Sequence, residues 1–299
     1  MNIMEKLHKS SISVTDISSQ YWCELKMELN YLYGEEKTAE MRKGLDVHEE
    51  LESKINLPIE LEPRSYSDAL YKTLYTNYEA LQVLKKNKKT REFKIYGSVN
   101  GFRISGKIDE LAIINDETAI IEDKTMGRGK SGEKVQPTEA RTRSDKVQVT
   151  LYKKLLDDIG EGRYTLENFS RGYRTKSLKV TNEFRLQLDT LKIESGMQSI
   201  DSIASKFFES ASKIGPISNT LIIRYIDRFT NEPISTQKFN YSSDEANGII
   251  KFAFKYWNGE RSALPVPNEE RWKCTFCYFY GRQCKIWWPP KEQRLLNAK

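Results

Sequence analysis

Long apolar runs are missing from this sequence: nowhere do the roughly 18 consecutive apolar residues of a membrane-spanning helix occur. The opening MNIMEKLHKSSISVTD has neither the continuous apolar stretch of a secretory signal nor the arginine richness of a transit peptide. An intracellular protein without a membrane partner is expected, in the cytoplasm or nucleus, or in the mitochondrion of a eukaryote. Internal repeats and low-complexity linkers are also lacking, so nothing divides the chain, and one domain over residues 1–299 is expected. A net charge of +6 admits a polyanionic partner without requiring one. Histidine and cysteine are so scarce, at two and four residues, that each position carries weight.

Three of the cysteines, Cys274, Cys277 and Cys284, form a C-x2-C-x6-C pattern near one end, and Cys23 lies near the other. In an intracellular chain a cluster of thiols reads as a metal site before it reads as disulfides. Four thiolates complete either a tetrahedral zinc site or a cubane iron–sulfur cluster. Trp22, Trp272, Trp287 and Trp288 flank these cysteines, and Phe276, Tyr278, Phe279 and Tyr280 are interleaved with them, a bulky shell that would limit solvent access. Ordinary buried cysteines in an aromatic core are the plainer alternative, but they have no reason to share this spacing.

Helical periodicity with a capping Ser13 or Thr15 and a closing Gly34 predicts a helix over 14–33, followed by helices over 38–54 and 67–86. The period then changes to alternation, which predicts strands at 91–98, 101–114 and 118–125 with turns at Asn100-Gly101 and Asn115-Asp116. A basic, glycine-containing loop spans 127–143, and a helix is predicted over 144–158. A short strand near 171–176, a long helix over 181–212, a hairpin at 219–228 and 234–241, and a helix over 243–257 complete the chain. This order makes a mixed α/β fold.

Asp109 ends the strand GKIDELAI, and Glu122 and Lys124 share one face of the next strand, IIEDKT. Carboxylates from adjacent strand ends can hold a divalent ion, and a lysine beside them can orient water and offset negative charge. A charged hairpin rim is the plainer reading. His48 lies on the second helix, one turn after Gly44 and one before Glu52, where it can bring a nitrogen ligand to that site. Gln148 and Tyr152, at i and i+4, stand on the helix after the catalytic strand and can line a groove. Arg128, Lys130, Arg141 and Arg143 lead out of that strand, where a nucleic acid would need phosphate neutralisation.

Together these segments resemble a known family. Gly44-x3-His48-x2-Leu51-Glu52, GKIDEL with Asp109, Glu122-x-Lys124 and Gln148-x3-Tyr152 resemble the RecB-type branch of PD-(D/E)XK nucleases. YWCEL with Cys23, paired with KCTFCYFYGRQC after WNGERSALPVP, is similar to exonuclease V, and the likeness runs from about Ser13 to Trp287. The resemblance implies a restriction-endonuclease-like core with helical additions. A [4Fe–4S] staple on Cys23, Cys274, Cys277 and Cys284 would join the N-terminal region to a segment at about 257–290. It implies hydrolysis of single-stranded DNA from a free end in DNA repair or genome maintenance, by a monomer served by a single-strand-binding protein. Mg2+, or Mn2+ in its place, would be held by His48, Asp109, Glu122 and the Asp123 backbone carbonyl. Lys124 would be catalytic, with Gln148 and Tyr152 completing the catalytic groove. Met126 stands where the family often has arginine. A CRISPR-adaptation-type iron–sulfur nuclease and an inactive DNA-binding scaffold are the alternatives.

Overall fold

The capping signal at Ser13 marks where the first long helix begins. In the computed structural model, which describes residues 2–56, 58–129 and 131–286, a short α1 (Ile3–Lys6) and a two-residue β1 (Ile12–Ser13) lead into α2 (Val14–Tyr33). The Ser13 hydroxyl accepts from the Asp16 N–H at 2.9 Å and the Asp16 carboxylate accepts from the Ser13 N–H at 2.7 Å, a reciprocal cap. The predicted continuous helix is broken: at Cys23 the backbone is extended, with φ −167° and ψ 108°. The Cys23 sulfur then accepts from the Lys26 N–H at 3.4 Å and so caps the second half.

α3 (Ala39–Ser53) and α4 (Tyr66–Asn87) precede an antiparallel meander of β2 (Lys89–Val99), β3 (Phe102–Ile114) and β4 (Glu117–Met126). Both turns are two residues long and left-handed, with φ of 50° and 81° at Asn100 and Gly101 and 51° and 63° at Asn115 and Asp116. That is the geometry which matches strand twist in tight hairpins. α5 (Glu139–Gly160) starts earlier than predicted because Thr138 caps it, accepting from the Arg141 N–H. α6 (Leu166–Tyr173), α7 (Asn182–Thr190) and α8 (Ile200–Ala211) lead to β5 (Thr220–Asp227), β6 (Pro233–Asn240) and α9 (Ser243–Trp257).

β5 runs parallel to β4 and pairs antiparallel with β6, giving a mixed six-stranded sheet and an α/β fold. Two further predicted elements differ. The strand near 171–176 is instead the end of α6 and a 3-10 turn, because Thr165 and Asn168 form a capping box and Phe169 stacks on Tyr173 at 4.4 Å, one helical turn on. The long helix over 181–212 is two helices, α7 and α8. Lys192 sits at φ 55°, and a second capping box at Ser199 and Ser202 restarts the chain.

β3 has different partners along its two edges. β2 pairs along one edge, whereas on the other Ile104 and Ser105 pair with β1, and 110–114 pair with β4. Among the described residues no strand pairs with 106–109 on that second edge. α5 packs across β2, β4 and β5 with α2 beside it. Gly106 permits this approach, since a Cβ there would lie 2.5 Å from the Tyr152 ring and 3.0 Å from Val14.

Candidate active site

Buried backbone groups need partners, and in the gap along β3 side chains supply them. The Tyr152 hydroxyl donates to the Lys107 carbonyl at 2.7 Å, and the Asp109 carboxylate accepts from the Asp123 N–H at 2.8 Å. The side chains that sequence motifs single out therefore replace missing ladder bonds. Two clusters meet there.

The first cluster is His48, Glu92 and Asp109, whose donor atoms lie within 4.8 Å of one another. His48 Nδ1 is 3.5 Å from a carboxylate oxygen of each acid. Gly44 lets α3 come close enough, because a Cβ there would meet the Thr125 hydroxyl at 3.0 Å. Burial alone would depress the His48 pKa, but the Glu92 and Asp109 carboxylates override it and raise it. Glu92 has φ 56°, and it and Asp109 are skipped in the otherwise continuous β2–β3 pairing. A left-handed acidic residue inside a strand is strained and is characteristic of functional sites. Lys107 pairs with it.

The second cluster is Glu122, Lys124, Gln148 and Tyr152. The Lys124 ammonium donates to Glu122 and to the Gln148 side-chain carbonyl, both at 2.8 Å, and lies 3.8 Å from Asp145. The Gln148 amide donates to Glu122 at 2.6 Å and to the Tyr152 hydroxyl at 2.8 Å. Burial, with the Asp109 charge adding to it, pushes Glu122 up to about 8. Burial alone would lower Lys124, but Glu122, Asp145 and Asp109 raise it, so the ammonium stays charged. Glu122 Oε2 is buried without a hydrogen-bond partner among the described residues, an acceptor suited to a cation.

Asp123 points elsewhere. Its carboxylate is held by Arg91 at 2.7 Å and by Arg224 at 2.7 and 2.9 Å, in a buried network with Glu110. These guanidinium groups, Arg224 foremost, outweigh burial and keep its pKa low. Only its backbone faces Asp109.

The expected set is thus rearranged. Glu92, absent from it, joins His48 and Asp109, while Glu122 sits in the neighbouring lysine cluster. Tyr152 is 1% exposed and lies beneath Gln148, so it does not line a groove: its phenol is drawn inward by the free Lys107 carbonyl. The groove that opens at the site runs between α2 and α5 and is lined by Lys124, Gln148, Asp145, Arg141, Asn30, Trp22 and Cys23. Of the basic residues expected on DNA, Arg141 lines this groove. Arg128 is paired with Asp227 at 3.0 Å and lies over the Phe229 ring, and Arg143 pairs with Glu270. Lys130 lies outside the described residues.

Beyond the groove, Cys23, Cys274, Cys277 and Cys284 line one pocket with Trp22, Lys26, Leu29, Val266, Lys273, Tyr280 and Ile286. None is in a disulfide. Burial and then the neighbouring thiols push Cys274 up, and Cys23, raised by burial, accepts hydrogen bonds from the Lys26 and Val266 backbone. Trp287 and Trp288 lie outside the described residues. Next to Cys23, the buried Glu24 carboxylate accepts from Arg261 at 3.0 Å and from the Leu264 N–H at 2.7 Å, tying the first long helix to the C-terminal segment.

Comparison with known proteins decides the family. The model of the family described as exonuclease V, a 5′ deoxyribonuclease, matches residues 4–134 and 197–288. The chain belongs to the exonuclease V family. It is a 5′ deoxyribonuclease, a hydrolase whose substrate is DNA.

It is similar to exonuclease V of Danio rerio, with 25% identity over 92% of this chain and 70% of that protein. A mitochondrial exonuclease V of Candida albicans is 30% identical over 26% of this chain, but this covers only 12% of that protein. Among solved structures, SSO0001 aligns over 95% of this chain and 94% of its own, at 17% identity and a TM-score of 0.39. A candidate exonuclease from Eubacterium rectale aligns over 97% and 94%, at 12% identity and a TM-score of 0.42. His48, Glu92, Asp109, Glu122, Lys124 and all four cysteines fall inside the stretches matched to exonuclease V, whereas Gln148 and Tyr152 fall between them. No helix among the described residues is long and apolar enough to cross a membrane.

Proposed function

We propose that this member of the family is a metal-dependent exonuclease specific for single-stranded DNA, built as one RecB-like domain and acting from a free end in DNA repair or genome maintenance. The observation that carries the reading is the meeting of two clusters in the gap along β3. His48, Glu92 and Asp109 gather ligand atoms, and beside them Glu122, Lys124 and Gln148 are interlocked. The donor set suits Mg2+ or Mn2+, with His48, Glu92 and Asp109 as ligands and Glu122 Oε2 as a further acceptor. The Asp123 N–H is turned toward Asp109, and in a strand the carbonyl of the same residue points to the same edge, which supports its role as a ligand. A bound divalent ion would polarise the phosphate and acidify a water. Lys124 holds a positive charge against the reacting phosphate and orients the attacking water, Gln148 holds Lys124 and Glu122 in register, and Tyr152 positions Gln148.

The four thiols are proposed to hold a [4Fe–4S] cluster. Among the described residues, the group of three or more His, Cys, Asp or Glu side chains with donor atoms within 4.8 Å of one another is the His48 cluster, so no three of the four sulfurs lie that close together. A tetrahedral zinc site, with Zn–S of about 2.3 Å, would bring its sulfurs to about 3.8 Å. All four cysteines line one apolar-walled pocket, which supports a single shared inorganic group. Cys23→Ala protein is expected to lose iron and colour, whereas Asp109→Ala protein stays coloured but inactive. Zinc without iron in metal analysis of the purified protein would refute the cluster.

The nuclease reading is tested with end-labelled single strands, blunt duplex and a ligated single-stranded circle, each with and without Mg2+. Degradation of the linear strand alone is expected. Rapid cutting of the circle would make the enzyme an endonuclease, and binding without cutting would make it a scaffold.

A further inference from the structure

A second polar cavity opens on the same β2–β3 ribbon that carries Glu92 and Asp109. Its volume is about 230 Å³, several times the ~30 Å³ of a water molecule. Lys94, Arg103 and Ser105 come from the ribbon, and Tyr66, Tyr96 and Tyr173 supply aromatic walls. Among the described residues no acidic side chain lines it. Lys94 has no carboxylate partner among the described residues, and Arg103 donates only to the backbone carbonyls of Ser10 and Gly172. Two cations thus face one cavity without a counter-charge.

Tyr96 supplies the independent sign of a ligand. It is 1% exposed, yet its buried hydroxyl has no hydrogen-bond partner among the described residues. Two other buried phenols are satisfied: Tyr71 donates to the Met197 carbonyl and Tyr152 to the Lys107 carbonyl. A buried unpartnered hydroxyl is costly unless something arrives to use it. Burial and the phenols of Tyr173, Tyr164 and Tyr66 keep its proton in place, so it remains a donor.

We propose that this cavity binds a phosphate of the DNA strand, with Lys94, Arg103, Ser105 and the Tyr96 hydroxyl around the anion and the attached nucleoside against Tyr66 and Tyr173. Lys94 is two residues from Glu92 and Ser105 four from Asp109, which places the cavity roughly 7–13 Å from the acidic cluster along the strands. A strand whose scissile phosphate lies at that cluster reaches the cavity within a few nucleotides. The phosphate is either the 5′-terminal one or an internal phosphodiester. The proposal rests on the DNA-hydrolase reading for its ligand, but its test does not depend on cleavage.

The experiment measures binding of 3′-labelled single-stranded oligonucleotides by fluorescence anisotropy in EDTA, with either a 5′-phosphate or a 5′-hydroxyl. The wild-type chain is compared with Lys94→Ala, Tyr96→Phe and the surface control Lys255→Ala. Lys94→Ala and Tyr96→Phe are each expected to weaken binding by roughly tenfold, as loss of a charge-assisted hydrogen bond does. Lys94→Ala should also lower the log–log salt slope by about 0.7. Tyr96→Phe should leave the melting temperature unchanged or higher, because the free protein loses no hydrogen bond; a merely structural hydroxyl would instead lower it. Weakening confined to the 5′-phosphorylated strand assigns the terminal phosphate, and equal weakening assigns an internal one. Folded variants that bind both strands within twofold of wild type overturn the cavity, as does equal weakening by Lys255→Ala. Cleavage assays on the same proteins separate the two readings: a wild type that never cuts removes the nuclease while leaving the binding result intact.

Discussion

Replacing Tyr152 by phenylalanine removes one oxygen and tests whether the gap in the sheet is held open by its own reactive side chains. The ring is buried and phenylalanine retains it, so little apolar packing is lost. Two hydrogen bonds disappear, the one donated to the Lys107 carbonyl at 2.7 Å and the one accepted from Gln148 at 2.8 Å. A typical bond contributes about 1 kcal/mol net, and a buried group left without its partner costs about 1–3 kcal/mol. With one carbonyl and one amide hydrogen stranded, a loss of about 2–3 kcal/mol is expected, read from urea unfolding of the metal-free protein by tryptophan fluorescence. Gln148 also loses the anchor that fixes it between Glu122 and Lys124, so kcat should fall roughly tenfold. KM for single-stranded DNA should hold, because Tyr152 does not line the groove. A loss below about 0.5 kcal/mol, or an effect confined to KM, would refute this account of the gap.

Glu92→Gln should weaken Mn2+ binding by at least an order of magnitude, measured by calorimetry without DNA; unchanged affinity would remove Glu92 from the ligand set. In metal-free protein, Glu122 is held protonated by burial up to about 8 in the folded state, against the ordinary 4.5. The folded state then carries the extra proton between those values, so stability should fall as pH rises from about 4.5 to about 8 and level off above it. Glu122→Gln should flatten that slope in urea titrations, and an identical slope in both proteins would show that other groups set it. Arg141→Ser should weaken single-strand binding and lower its salt slope, whereas Arg128→Ser should mainly reduce thermal stability by leaving buried Asp227 short of its partner. The reverse pattern would move the DNA path to the far side of the 127–143 loop.

Where a local rule governs a segment, the sequence is readable. Asn100-Gly101 and Asn115-Asp116 specify two-residue left-handed turns, and those turns fix strand register, bringing Asp109 beside Glu122. Ser13 specifies a helix start by the chemistry of its hydroxyl. The same turn logic would have revealed Glu92: a two-residue turn at 100–101 sets position 92 opposite 109, but no motif directs attention to an acid in REFKIYGS. The groove role expected for Tyr152 failed because an i, i+4 spacing says which residues share a helix face, not that a free carbonyl will draw one of them inward. Arg128 and Arg143 looked available for DNA because their acidic partners, Asp227 and Glu270, are distant in sequence. The strand expected near 171–176 gives way to the end of α6, where the Thr165–Asn168 capping box and the Phe169–Tyr173 stack favour helix.

The clasp between Glu24 and Arg261 bears on the order in which the cysteine cavity is assembled. During synthesis Cys23 emerges first and the other three thiols last, so any group that bridges them would by itself have to close a loop of nearly the whole chain, at the entropic cost that long loops carry. Here an ion pair and the Leu264 N–H bring the two ends together one residue away from Cys23. The polypeptide closes that loop for itself. Any inorganic group held by the four thiols would therefore join ends that Glu24 and Arg261 also hold together.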